Sequence, residues 1–97
     1  MSAVLDKPYQ LRLYVTDATP KSARAIVNAR RLLEEYLPER YTLEILDISE
    51  NVAQATLDQI ICVPTLLRLA PPPARRIIGD MSDAARVLKG LDVHVDS

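Results

Sequence analysis

The chain is short of the residues that most directly announce chemistry. It has one cysteine, Cys62, so it cannot form an internal disulfide, and thiol exchange within it has no second partner. One histidine, His94, leaves no set of nitrogen and sulfur ligands for zinc. Its two glycines, Gly79 and Gly90, stand alone and cannot build the loop of exposed N–H groups that cradles a phosphate, which argues against nucleotide binding. Positive charge is not in excess: 12 Lys plus Arg against 13 Asp plus Glu gives a formal net charge of -1, with nothing spare to neutralise a nucleic-acid backbone. The longest uncharged apolar stretch, around Ile60 to Leu67, is far shorter than the roughly 20 residues that span a bilayer, and no basic, apolar leader opens the chain. These absences predict a cytoplasmic protein that works without nucleic acid, membrane, metal or cofactor.

What is present is the capacity to fold. Leu, Ile and Val number 29 of the 97 residues, well above the level at which charged chains stay open, and the length fits one domain over 1–97. From Tyr9 to Val15, Tyr9, Leu11, Leu13 and Val15 alternate with Gln10, Arg12 and Tyr14, the period of a strand. Thr19 then offers an N-cap with Pro20 at the first helical position. Apolar Ala23, Ile26, Ala29, Leu33 and Leu37 recur at helical spacing, with Arg24, Asn28, Arg31 and Glu35 opposite, and Pro38 ends the run. Tyr41 to Ile48 is apolar on both faces, which predicts a central strand, and the three elements together predict a right-handed βαβ unit with parallel strands.

The second half supports two arrangements. In one, Val63 to Leu69 is a strand entered through Pro64; a turn at Ala70 to Ala74, a strand from Arg75 to Ile78 and a helix from Ser82 follow. In the other, Leu57, Ile60, Ile61, Leu66, Leu67 and Ala70 belong to helices, one opened by Pro64, and Val93, His94 and Val95 form a terminal strand. The triple proline at 71–73 favours a stiff extended spacer.

Few residues stand out chemically. Cys62 fits a small buried hydrophobe or a lone reactive thiol. Glu34 and Glu35 point about 100° apart around a helix and do not converge on a substrate; Asp80 and Asp83 suit capping of the last helix. Arg75 and Arg76, between three prolines and an uncharged Ile77-Ile78-Gly79, suggest docking to an acidic surface, with Arg24 and Arg68 on the same side; ordinary surface charge is the alternative.

In the first arrangement the α/β order βαβαββα resembles the thioredoxin fold, whose corresponding proline is cis, so Pro64 is the cis-proline candidate. The redox pair of thioredoxins would fall at Thr19-Pro20-Lys21-Ser22, where no thiol is present. A thioredoxin-like redox or peroxide-sensing role for Cys62 is the alternative function.

A longer run carries a closer resemblance. Pro71-Pro72-Pro73-Ala74-Arg75-Arg76-Ile77-Ile78-Gly79-Asp80-Met81-Ser82-Asp83 resembles the signature of the circadian clock protein KaiB family. Leu13-Tyr14-Val15, Thr19-Pro20, Ser22 to Ala25, Tyr41 to Ile48, Pro64-Thr65-Leu66 and Gly90-Leu91-Asp92 extend the match over most of the chain. The resemblance implies a non-enzymatic, metamorphic regulator that binds the N-terminal ATPase ring of a KaiC-like hexameric ATPase and kinase and modulates its phosphorylation cycle. It implies two folds: a thioredoxin-like binding monomer, and a resting homotetramer with the order βαββααβ. A KaiA-like protein or a sensor histidine kinase would be a further partner. Carried over by motif position, the partner-binding residues are Arg24, Tyr41, Arg68, Arg75 and Arg76, and the fold-switch residues are Gly90 and Asp92. Two departures are visible: Asp17-Ala18-Thr19-Pro20-Lys21-Ser22 replaces the family's Gly-Asn-Thr-Pro-Asn-Ser, and Gln59 stands where a basic residue is usual.

Overall fold

In the computed structural model, which describes residues 8–17 and 19–93, strand β1 (Tyr9–Val15) is the centre around which the other elements assemble. Its alternation gives it two usable faces. Leu11, Leu13 and Val15 project to one side and are buried, and Tyr14 on the other side is also fully buried. Helix α1 (Pro20–Tyr36) returns the chain to strand β2 (Tyr41–Asp47), which pairs in parallel with β1 from Tyr9 opposite Tyr41 to Val15 opposite Asp47. A short helix α2 (Val52–Leu57) leads to strand β3 (Thr65–Ala70), which pairs antiparallel with the other side of β1. Strand β4 (Arg75–Ile78) pairs antiparallel with β3, and helix α3 (Ala84–Gly90) closes the order.

The result is βαβαββα with sheet order β2-β1-β3-β4, the first of the two arrangements the sequence permits. Leu66 and Leu67 are strand residues here, one on each face, and both are buried. The terminal strand of the competing arrangement falls largely on residues 94 and 95, outside the described residues.

The helices begin and end for local reasons. The Thr19 hydroxyl accepts from the Ser22 N–H, Pro20 occupies the first turn, and Leu37 closes α1 by donating to the Leu33 carbonyl at 2.8 Å, directly before Pro38. The buried side of α1 is Ser22, Ala25, Ala29, Leu32 and Leu33, so Ala23, expected in the apolar stripe, is exposed instead. The cause is Ser22, whose hydroxyl accepts from the Thr16 N–H and turns that residue toward the sheet. Asp83 caps α3 by accepting from the Arg86 N–H at 3.1 Å, so the helix starts two residues after Ser82.

Helices α1 and α3 share one face of the sheet, where Leu11, Leu13, Val15, Leu66 and Ile77 meet Ala25, Ala29, Leu32, Leu33, Val87 and Leu91 in one core. Each fully buried Leu contributes roughly 1.5–3 kcal/mol relative to an exposed one. Two expectations are corrected. The central strand is β1, not β2, because β3 inserts on the free side of β1 and leaves β2 half-buried at the edge. The prolines form the turn between β3 and β4, with cis bonds at Ala70–Pro71 and Pro72–Pro73, and are not an extended spacer. Among the described residues no helix is long and apolar enough to cross a membrane.

Candidate interaction surface

Strand β4 places the two arginines that the sequence singles out on an open edge of the sheet. Neighbouring strand residues point to opposite faces, and this separates them. Arg75 lies opposite Arg68 and shares the face of α1 and α3, whereas Arg76 lies opposite Leu67, which in turn lies opposite Arg12, on the face of α2. Both are exposed. Arg76 donates to the Gln59 carbonyl at 2.9 Å and to the Asp58 carbonyl at 3.1 Å, fastening the end of α2 to the edge strand. An Arg75 Nη atom is 4.0 Å from a carboxylate oxygen of Asp92.

Arg24, on the first turns of α1, reaches across to Asp80 in the β4–α3 connection at 3.4 Å, and Asn28 donates to the Asp80 carbonyl at 2.8 Å. Hydrogen bonds from Ser82, and then Arg24, hold the Asp80 carboxyl below its ordinary range. Asp80 therefore organises that connection, while Asp83 alone of the pair caps the helix.

The remaining sequence-predicted residues are dispersed. Arg68 is 3 % exposed, so in this fold it offers no docking surface and does not join Arg75 and Arg76 on one exposed side. Its guanidinium donates to the carbonyls of Leu91, Asp92 and Pro73. Tyr41 lies at the start of β2, on the edge opposite β4, and donates to the Glu34 carboxylate at 2.6 Å, which raises the Tyr41 pKa. Gly90 ends α3, and a Cβ there would collide with the Ile77 side chain. Asp92 follows in the left-handed region, φ 55°, which Asp tolerates better than most residues. Pro64 is fully buried after a cis bond, and its carbonyl accepts from the Gly79 N–H at 3.0 Å.

Cys62 is exposed rather than buried: it sits in the loop before Pro64, and its carbonyl accepts from the Thr65 hydroxyl at 2.6 Å. At the start of α1 the hydroxyls of Thr19 and Ser22 serve helix capping and the β1–α1 turn. The sequence did not reveal one cluster. Asp58, at the end of α2, accepts from the buried Tyr14 hydroxyl, from Arg12 at 3.1 Å and from Gln54 at 3.4 Å, and Arg12 also holds Glu44 at 3.0 Å. The strand period puts Arg12 and Tyr14 on one face; nothing in the pattern predicts that a carboxylate 44 residues later reaches them.

The comparisons agree with this architecture. Residues 12–93 match the KaiB domain. The chain is 44% identical over 91 residues to the circadian clock oscillator protein KaiB of Microcystis aeruginosa, covering 94% of this chain and 88% of that protein. It is 47% identical over 90 residues to the protein of the same name from Prochlorococcus marinus, covering 93% of this chain and 76% of that one. Among solved structures it resembles the N-terminal domain of Synechococcus elongatus SasA, with a TM-score of 0.71 at 16% identity over 94% of this chain and 90% of that one. It also resembles chloroplastic thioredoxin z, with a TM-score of 0.69 at 18% identity, over 93% and 80% of the two chains. At such identities the structural likeness establishes a thioredoxin-like fold and no activity. The sequence match does more, and by it the chain belongs to the KaiB family.

Proposed function

We propose that this chain is a non-enzymatic clock or timer regulator that binds the N-terminal ATPase ring of a KaiC-like hexameric ATPase and modulates its phosphorylation cycle. The arrangement described above is, in this proposal, the binding-competent monomer; the resting form is a homotetramer of order βαββααβ, and binding draws the population between them. The observation that carries the reading is β4. A short, uncapped edge strand presents exposed Arg75 and Arg76 in a chain about 45% identical to clock oscillator proteins, with Arg24 at the neighbouring end of α1. An edge strand offers backbone groups as well as side chains to a partner, and arginine's planar fork suits carboxylates.

The test is to mix the protein with hexameric KaiC-type ATPases under ATP and under ADP and to measure complex mass by size-exclusion chromatography with light scattering. Reversal of charge at Arg75 and Arg76 together should abolish the complex. Because Arg76 also anchors the end of α2, unfolding of the double variant is measured alongside. A stably folded variant that binds as the parent does removes β4 from the interface.

A further inference from the structure

Arg68 is a buried cation held by carbonyl oxygens. Among the described residues no acidic group lies within ion-pair distance of it, and its Nε has no partner at all. A charge removed from water survives only where oriented dipoles replace the water. Three carbonyls do so here. One Nη donates to Leu91 O at 2.6 Å and Asp92 O at 3.3 Å; the other donates to Pro73 O at 2.8 Å. Leu91 is the C-terminal cap of α3, so the first pair of contacts falls at the negative end of that helix, where unpaired carbonyls gather. The third contact is on the proline turn. One rigid fork thus bridges two segments that lie 18 residues apart in the chain and share no secondary structure. Arg75, opposite Arg68 across the β3–β4 ladder, approaches the same end of α3 from outside through Asp92.

We propose that Arg68 is an internal clamp and not a docking residue: its two Nη groups together hold the end of α3 and the proline turn that carries β4 into their places. Substituting it weakens partner binding by loosening that half of the molecule, with no contact to the partner lost. The clamp stands on the geometry of the βαβαββα fold; its consequence for binding rests on the function proposed above. Geometry also separates arginine from lysine. A single ammonium is a compact point charge and cannot span both acceptor sets, so retaining the charge does not retain the clamp.

The experiment is amide hydrogen exchange by NMR on the full chain without partner, at low concentration and read on the amide signals of the βαβαββα monomer, comparing the parent with Arg68→Met, Arg68→Lys and Arg75→Ala. Loss of hydrogen bonds from a charged donor corresponds to exchange about ten- to a hundredfold faster at the Leu91 and Asp92 amides. That acceleration is expected in both Arg68 variants, with Arg75→Ala within about threefold of the parent. If Arg68→Met does not fold, Arg68→Lys decides alone. Parent-like exchange in Arg68→Lys, or in a folded Arg68→Met, overturns the clamp. In a second arm with a hexameric KaiC-type ATPase, Arg68→Lys should lose affinity in step with its faster exchange. Lost affinity at unchanged exchange would make Arg68 a direct contact and also overturn the proposal. Failure of the parent itself to bind would count against the functional reading and leave the exchange result standing.

Discussion

Replacing Tyr14 with Phe removes a single oxygen from a polar contact between the sheet and the end of α2. The ring is fully buried on the α2 face of β1, and its hydroxyl donates to Asp58 at the end of α2. Phe keeps the ring and leaves no cavity, so the change isolates the hydrogen bond. Asp58 keeps Arg12 and Gln54, which spares it from becoming an unpaired buried charge. A hydrogen bond to a charged group is worth roughly 1.5–3 kcal/mol, and in a domain of this size each kcal/mol moves Tm by about 4–8 °C. Burial first, and then Asp58, raise the Tyr14 pKa well above its ordinary 10.0. A phenol whose folded pKa is raised contributes stability that is intact below the unfolded value and lost as pH rises beyond it. Below pH 10 the full advantage of Tyr over Phe should therefore be present, and above it the advantage should shrink by about 1.4 kcal/mol per pH unit while the unfolded chain ionises and the folded chain does not. Tyr36 and Tyr41, also raised, remain in both proteins and cancel in the comparison. Urea unfolding of the two proteins from pH 8 to 11 gives the answer. A Phe variant within 0.5 kcal/mol of the parent, or a difference that stays flat through pH 11, refutes the reasoning.

Two further outcomes are expected. Thr19→Ala removes the hydroxyl that caps α1 and should cost about 1 kcal/mol in chemical unfolding, with Thr19→Ser restoring most of it; no loss would mean that Pro20 alone sets the start of the helix. Gly90→Ala combined with Asp92→Arg should raise the monomer fraction and speed complex formation with the hexameric ATPase. Ala favours the last turn of α3 by about 1 kcal/mol over Gly, and the buried Ile77 side chain, which meets the new Cβ with both Cδ1 and Cγ1, must shift to admit it. A wholly tetrameric double variant that binds slowly contradicts this.

The sequence by itself determined the elements whose signals are local. The bounds of β1, the Thr19–Pro20 start of α1, its stop before Pro38 and the span of β4 all follow from alternation, capping and proline geometry within a few residues. It also determined family membership, because a long ungapped match is read residue by residue. It did not decide between strand and helix for Leu66 and Leu67, whose apolar run suits either; pairing with β1 on one side and β4 on the other decides it. Which strand is central was equally out of reach, since burial on both faces depends on where β3 inserts. The candidate surface divides in the same way. Arg75 and Arg76 are legible as an exposed pair, but only the pleat assigns them to opposite faces. Arg68 is one more basic residue in the chain, and only the return of α3 and the proline turn over β3 makes it an interior cation. Local chemistry fixes how a segment bends, whereas contacts between residues tens of positions apart depend on all the intervening segments at once, and no window of sequence contains them.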